Sequence, residues 1–358
     1  MEEIVLGTRD IKADLLGLLN SELPFTDLLL QKNTPVMAKL PTGWTEVQDF
    51  LPLTDDDVIT IVEGLDSDYI NTLKKRAINR PLTLTNWRLR INAYLALENI
   101  MMSIRRVPIN PPELKTLGLP ASVRLLLEAP RGLLLVSGAT GSGKTTTVAA
   151  IIEEINLSKQ SHIVTIEDPV EFVYKRKKAV FSQREIGVDA TSFYEGARDA
   201  MRQCPNVIVI GEIRDKETAD TALLASESGH LVIGTLHANS AVGTVQKLLG
   251  FFPEQERSSR AQSLAINLVG IINQILLPKI DGTGYSLAAE VLANHKQQFS
   301  NVLDDPTKLA SALDRNDDKV SVNMAESLAE LVRKNAVSKL DAIKASFGSP
   351  ALYEKLRV

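Results

Sequence analysis

The chain has 358 residues, 44% of them hydrophobic and 23% charged, a balance typical of a globular protein of about two domains. Its 40 basic and 44 acidic side chains give a net charge of -4, which excludes a global electrostatic attraction to nucleic acid. Cys204 is the single cysteine, so no disulfide can form within the chain, which suits a reducing compartment.

The hydrophobic residues do not form a membrane anchor in the sequence. No apolar run approaches the ~18 residues needed to span a bilayer. The first residues are acidic, where a secretory signal would be basic. We therefore expect a cytoplasmic protein that meets a membrane only through a partner or through its surface.

The first 106 residues predict a small domain with both strands and helices. Helical patterns cover 55–64 and 68–78, and Thr54 precedes the first as a predicted N-cap. Trp44 and Trp87 are predicted to lie in the core, since no basic residues interleave with them. Short apolar runs predict strands at 28–30, 36–38 and 87–91.

A proline-rich linker at 107–113 predicts a domain boundary, because its prolines cannot continue a helix or a central strand. From 114 to 358, runs of Val, Ile and Leu alternate with helical segments, which indicates a parallel sheet covered on both faces. Ligands on such sheets bind at the carboxyl ends of the strands. The predicted strands lie at 133–136, 162–166, 207–210 and 231–235, and the predicted helices begin at 144, 192 and 218.

Residues 138–145 read Gly-Ala-Thr-Gly-Ser-Gly-Lys-Thr and fit the phosphate-loop pattern G-x-x-x-x-G-K-[ST] between a strand and a helix. Glycines let successive N–H groups face one anion, and the helix adds its positive end. Lys144 would reach the β- and γ-phosphates of ATP, and the Thr145 hydroxyl would hold Mg²⁺. A flexible loop that matches by chance lacks this strand–loop–helix context. The predicted nucleotide-binding residues are Gly138, Ala139, Thr140, Gly141, Ser142, Gly143, Lys144, Thr145 and Thr146.

Three further predicted strands end in polar residues. Glu212 follows 207–210 and is predicted to polarise the attacking water. Glu167 ends 162–166 and would assist at the metal or the water. His237 follows 231–235 and is predicted to sense nucleotide, because its ring can donate to a phosphate oxygen. The competing interpretations are a helix cap or salt bridge for the carboxylates and a structural histidine.

Phosphoryl transfer gains from an arginine aimed at the γ-phosphate, often from a neighbouring subunit. Arg88, Arg90, Arg105 and Arg106 precede the linker. Each could equally form a surface salt bridge.

Together these motifs resemble the type II/type IV secretion and pilus ATPases, the GspE/PilT-like family. The resemblance covers about Arg88 to Arg333. Its four boxes are the phosphate loop, an aspartate box at 165–172, an atypical second Walker box at 211–215 and a histidine box at 234–240. The segments 183–187 and 201–205 also fit.

The resemblance implies an α/β fold, with a RecA-like P-loop NTPase core and a smaller α+β PAS-like N-terminal domain. It implies six protomers in a ring that converts Mg-ATP hydrolysis into work on a bacterial inner-membrane platform or secretion complex, with no direct nucleic-acid contact. Arg90 and Arg105 match family arginines that reach nucleotide at or across protomer contacts. The implied catalytic residues are Glu212, Glu167, His237 and Arg105, and the implied metal ligands are Thr145, Glu167 and Glu212.

The chain departs from the family pattern at several points. Gln246-Lys247 replaces an Asp-Arg pair, and Lys lacks the bidentate fork of Arg. The stretch 296–303 is a degenerate form of a helix found in pilus-retraction members. Residues 106–112 are closer to the type IVB secretion and conjugation branch. The basic run 175–178 is predicted to lie in a hairpin as a solvated loop or as a contact for anionic lipid or an acidic partner.

Two other function classes remain open. A helicase-like nucleic-acid motor on a RecA-like core predicts a basic pore and turnover stimulated by nucleic acid. A nucleotide-switched structural subunit predicts that Glu212→Gln leaves function intact.

Overall fold

The computed structural model describes residues 9–294, 297, 299, 303, 305–315 and 320–357. The chain divides into two compact units. One runs up to Ile109 and includes Asp281–Gly284, and the other contains the remaining residues from Asn110 onward. Among the described residues, no helix is both long and apolar enough to cross a bilayer. The degenerate stretch 296–303 lies largely outside the described residues.

The first unit is a six-stranded antiparallel sheet in the order β3-β2-β1-β6-β5-β4, with helices on one face. Alternate strand residues such as Leu28, Leu89 and Met102 point to the helices and form a core with them. Thr54 caps α2 in a capping box with Asp57. The strands are β1 (Asp27–Gln31), β2 (Met37–Leu40), β3 (Gly43–Glu46), β4 (Ile78–Thr83), β5 (Trp87–Ala96) and β6 (Asn99–Pro108), and the helices are α1 (Ile11–Leu19), α2 (Asp55–Leu65) and α3 (Tyr69–Leu73).

Two predictions for this unit are wrong. The helix predicted over 68–78 ends at Leu73, because the chain must leave it to enter β4, where Ile78 pairs with Ala93 of β5. Trp44 is 49% exposed rather than in the core, because it lies on β3, a strand at the edge of the sheet. The sheet itself extends through Pro108, which pairs with Trp87 at the end of β6.

The second unit is built on a seven-stranded sheet in the order β13-β12-β7-β11-β10-β8-β9, parallel except for β13. Every residue of β7, β10 and β11 is buried, as a sheet covered on both faces requires. The strands are β7 (Gly132–Ser137), β8 (His162–Glu167), β9 (Val180–Glu185), β10 (Val207–Ile210), β11 (Leu231–Leu236), β12 (Leu268–Pro278) and β13 (Tyr285–Ala293).

The helices of this unit surround that sheet. Alternate apolar residues of the strands share one core with α6 to α10. A smaller core joins Leu277 and Ala288 to the C-terminal helices α11 to α13. A short 3-10 turn covers Leu114–Thr116, and the helices are α4 (Ser122–Leu126), α5 (Lys144–Ser158), α6 (Phe193–Ala200), α7 (Lys216–Glu227), α8 (Ala241–Gly250), α9 (Glu254–Asn267), α10 (Pro306–Arg315), α11 (Met324–Arg333), α12 (Lys339–Ala345) and α13 (Pro350–Lys355).

The hairpin predicted around the basic run 175–178 is wrong, because β8 and β9 pair in parallel and the run belongs to the crossover between them. Asn156, fully buried near the end of α5, fixes the backbone of this crossover. Its amide donates to Lys175 O at 2.9 Å and accepts from Lys177 N at 3.1 Å and Ala179 N at 3.3 Å. The basic side chains are exposed on a backbone that α5 holds in place.

Candidate active site

The phosphate loop has the backbone that its glycines predict. Gly138, Gly141 and Gly143 have φ of 150°, 80° and 84°. A Cβ on Gly138 would lie 2.4 Å from Ser142 Oγ and 2.5 Å from Gln274 O, so a side chain cannot fit there. Within the described part of the chain, no side chain caps α5 at Gly143, which leaves the first N–H groups of the helix for an anion.

Lys144 is the first residue of α5 and folds back over this loop. Its Nζ lies 3.0 Å from both Gly138 O and Ala139 O, and 3.3 Å from His237 Nδ1. Partial burial lowers the pKa of the Lys144 ammonium, while the Glu212 carboxylate raises it. Thr145 follows in the first turn and is exposed, as a hydroxyl that must reach a metal would be.

His237 lies between the lysine and the carboxylate. Its Nε2 is 3.4 Å from Glu212 Oε1, and its Nδ1 faces Lys144 Nζ. Burial and then the Lys144 charge lower the pKa of the imidazole, which favours the neutral ring. These contacts assign a tautomer in which Nδ1 accepts from Lys144 and Nε2–H points at Glu212. Lys144, His237 and Glu212 therefore form a row, called the site row below.

The site row follows from the strand order. The phosphate loop, His237 and Glu212 follow β7, β11 and β10, which are neighbours in the sheet. Glu167 ends β8, one strand further along. Gly211 lies so close to Glu167 that a Cβ there would be 3.4 Å from the Glu167 Cα.

Glu167 differs from Glu212 in its surroundings. Its Oε1 accepts from Thr165 Oγ1 at 2.7 Å and from Gln183 Nε2 at 3.3 Å. Burial raises the pKa of this carboxyl, and the two hydrogen bonds act in the opposite direction. A carboxyl held this way is suited to orient water or a metal-bound water.

The predicted metal ligands supply oxygen atoms only, which is the donor set that Mg²⁺ prefers. They are the hydroxyl of Thr145 and the carboxylates of Glu167 and Glu212. Among the described residues, no three His, Cys, Asp or Glu side chains cluster as a preformed metal site. Mg²⁺ that is held largely through nucleotide phosphates and water does not need such a cluster.

The predicted arginines lie in the first unit. Arg105 on β6 is opposite Arg90 on β5, and its Nε donates to Asp27 Oδ1 at 2.7 Å. The Arg105 side chain is 55% exposed. Arg106 points the other way into the core, with its guanidinium 3.7 Å from the ring centre of Phe25. Arg106 is thus a structural residue.

Two buried polar residues near the site row, Gln274 and Glu290, were not predicted from the sequence. Gln274 Nε2 donates to Ser142 O at 2.6 Å, behind the phosphate loop. Lys247, noted above in the sequence, is exposed on α8 and donates to His237 O at 2.8 Å. The sequence did contain a sign of these residues, because Asn273-Gln274 and Glu290 interrupt otherwise apolar runs.

Comparisons with known proteins identify the family of the chain. A family model described as "Type II/IV secretion system protein" matches residues 86–336. The chain is 37% identical over 252 residues to a twitching motility protein of Neisseria gonorrhoeae, covering 70% of this chain and 67% of the relative. It is 41% identical over 205 residues to the type IV pilus retraction ATPase PilT of Pseudomonas aeruginosa, covering 57% and 59%.

Solved structures match over nearly the whole chain. The pilus retraction motor PilT with bound ADP has a TM-score of 0.80 at 35% identity, covering 97% of this chain and 98% of that one. The ATPase DotB of Legionella pneumophila has a TM-score of 0.84 at 26% identity, covering 94% of each. They confirm the predicted α/β fold with a RecA-like core and a smaller PAS-like domain, and the bound ADP of the first supports nucleotide use.

Proposed function

The chain belongs to the type II/IV secretion system protein family and is an ATPase, and from this premise we propose that it hydrolyses Mg-ATP at the site row. The observation that carries the proposal is the convergence of Lys144, His237 and Glu212 beside a glycine-lined loop. Lys144 and the loop amides hold the phosphates as fixed positive charge. The residues of the loop that contact the nucleotide are Gly138, Ala139, Thr140, Gly141, Ser142, Gly143, Thr145 and Thr146.

Each side chain then has a distinct role. Glu212 polarises the attacking water and accepts its proton. Thr145 holds Mg²⁺, which neutralises charge on the phosphates when bound, and Glu167 and Glu212 orient the water around it. His237 links the position of Lys144 to that of Glu212, so it reports whether phosphate has drawn the lysine toward it.

We also propose that the working form is a homohexamer on the cytoplasmic side of a bacterial inner membrane. Its partner is the platform of a type IV pilus, secretion or conjugation machine, and its attachment to the membrane passes through that partner. The similarity to PilT and to DotB supports this class of machine. Arg105 and Arg90 reach nucleotide at or across protomer contacts in this proposal, and the exposure of Arg105 supports its availability.

Steady-state ATPase assays test the site. Lys144→Ala should lose nucleotide affinity and turnover together, because it removes the charge that binds the phosphates. Glu212→Gln should keep nucleotide affinity and lose on the order of 10²- to 10⁴-fold in kcat, the range for a general base. Lys159→Ala, at the other end of α5, is the matched control and should turn over normally. Undiminished kcat in Glu212→Gln would favour the nucleotide-switched subunit instead, and stimulation by DNA or RNA would favour the nucleic-acid motor.

A further inference from the structure

The loop that carries His237 is called the histidine loop (237–240). Hydrogen bonds to side chains of β12 and β13 hold it near both of its ends. At its start, Ala238 O accepts a hydrogen bond from Asn273 Nδ2 at 2.9 Å. Directly after it, the N–H of Ala241 donates to the Glu290 carboxylate. Ser240 caps α8 through Gly243 N at 2.9 Å, so the end of the loop is continuous with a helix.

The two side chains that hold the loop lie opposite each other on neighbouring strands. Asn273 on β12 and Glu290 on β13 are direct partners in the antiparallel register, so they project from the same face of the sheet. Asn273 is fully buried and Glu290 is 8% exposed. We call this cross-strand pair the loop clamp. Asp314 of α10 is the acidic group that faces Glu290.

The loop clamp also contacts the strand that leads into the phosphate loop. Asn273 Nδ2 lies 2.9 Å from Ser137 Oγ, and Ser137 is the last residue of β7. Thr244 of α8 completes the network, with its Oγ1 2.7 Å from Ser137 Oγ. One amide group therefore touches both the histidine loop and the base of the phosphate loop.

We propose that Asn273 and Glu290 are positioning residues for ATP hydrolysis, which keep His237 between Lys144 and Glu212. The inference rests on the proposed role of His237. The ring nitrogens lie 3.3 and 3.4 Å from their partners, at the long end of hydrogen-bond range. A shift of the histidine loop by about 1 Å would break the site row, and misplacement of that size costs up to about 10²-fold in rate.

Positioning and mere core stability predict different kinetics. If the loop clamp only stabilises the second unit, its loss lowers the melting temperature and leaves the kcat of the folded fraction unchanged. If it positions His237, kcat falls while nucleotide affinity holds, because the phosphate loop keeps its own contacts, such as Gln274 Nε2 to Ser142 O. If the loop clamp acts through His237, mutating the clamp should no longer lower kcat in a chain that already carries His237→Ala.

The experiment measures kcat, KM for ATP and the affinity for a fluorescent ADP in the full chain. Asn273→Ala and Glu290→Ala each remove one end of the clamp, and we expect each to lose roughly tenfold in kcat with KM and ADP affinity within about twofold. Asn267→Ala is the matched control, since its amide also donates to a backbone carbonyl, Ser263 O at 2.9 Å, just before β12 begins. If an alanine variant is insoluble, Asn273→Ser is measured in its place.

A double-mutant cycle with His237→Ala completes the test. We expect Asn273→Ala to lower kcat by less than about twofold in the His237→Ala background, because coupled residues are not additive. A kcat equal to that of the Asn267→Ala control, or an undiminished further loss in the His237→Ala background, overturns the loop clamp. Full kcat in His237→Ala alone would instead contradict the proposed role of His237, so the two failures are distinguishable.

Discussion

Arg105 and Arg106 are neighbours in the sequence but lie on opposite faces of β6. Arg105 is on the face away from the helices, whereas Arg106 lies between the rings of Phe25 and Trp87. Burial lowers the pKa of the Arg106 guanidinium to about 10. The period-two alternation of a strand assigns these roles once the sheet is known. The Arg106 guanidinium donates to the carbonyl groups of Leu19, Ser21, Leu23 and Phe25.

Replacing Arg106 should therefore affect folding. We expect Arg106→Lys to lower the free energy of unfolding of the first unit by about 3 kcal/mol, because lysine cannot reach all four carbonyls and leaves buried acceptors unpaired. Denaturant unfolding followed by tryptophan fluorescence reports on this unit, since both tryptophans, Trp44 and Trp87, belong to it. Arg80→Ala, an exposed arginine of the same sheet, is the control. Equal unfolding midpoints for the two variants would contradict the structural role.

The sequence predicted a functional role for single residues where they belong to a short recognisable motif. Lys144, His237 and Glu212 follow strand ends, and the structure brings them together. Asn273 and Glu290 were not predicted, because their partners are distant in the sequence and no local spacing marks them. Arg106 was included among the candidate arginines because the sequence shows that a residue is charged but not whether its side chain is buried.

At the scale of elements, the β12–β13 pair contains a buried carboxyl at the N-terminus of α8. Burial raises the pKa of Glu290 to about 7, against 4.5 in an exposed glutamate, and the hydrogen bond from Ala241 N acts in the opposite direction. Between these two pH values the folded chain binds more protons than the unfolded chain. Stability from this group is therefore present below about pH 4.5 and is lost as pH rises to about 7.

Glu290→Gln should remove that pH dependence, because the amide does not titrate. Relative to the variant, we expect the wild type to lose on the order of 3 kcal/mol as pH rises from 4.5 to 7. Thermal unfolding of both proteins at several pH values across this window measures the difference, with Asp314→Asn as a test of the neighbouring charge. Parallel curves for wild type and Glu290→Gln would show that Glu290 titrates like an exposed carboxyl.

Helices and strands were predicted correctly where their hydrophobic pattern is long and regular. The continuous apolar runs of β7, β10 and β11 identified buried parallel strands, since such strands face apolar neighbours on both sides. The parallel pairing of β9 with β8 was mistaken for a hairpin, because pairing direction depends on the path of the crossover. The early end of α3 was missed because the pairing of β4 with β5 overrides a local helical pattern.

At the scale of the whole molecule, the proposed ring makes a prediction about mass. We expect light scattering with a non-hydrolysable ATP analogue to give six times the chain mass of 39.2 kDa. A monomer at all concentrations with the analogue bound would contradict the ring. This expectation comes from family resemblance, since nothing in the pattern of a single chain specifies its copy number.

Arg105 tests whether turnover depends on that assembly. If Arg105 reaches the γ-phosphate as an arginine finger, Arg105→Ala should lower kcat by on the order of 10³-fold while the assembled mass stays the same. Arg80→Ala controls for the loss of one positive charge in the same unit. If Arg105→Ala keeps the kcat of the wild type, Arg105 is not an arginine finger, and its only role would be the ion pair with Asp27.

The two ends of α5 lie in different surroundings. Its first residue is Lys144, and Asn156, near its other end, binds the backbone of the crossover that carries Lys175 and Lys177. A helix of 15 residues is about 22 Å long and stiff along its axis. A force applied to that basic crossover would therefore act along a stiff helix whose first residue is Lys144, so one helix and one asparagine link the crossover mechanically to the phosphate loop.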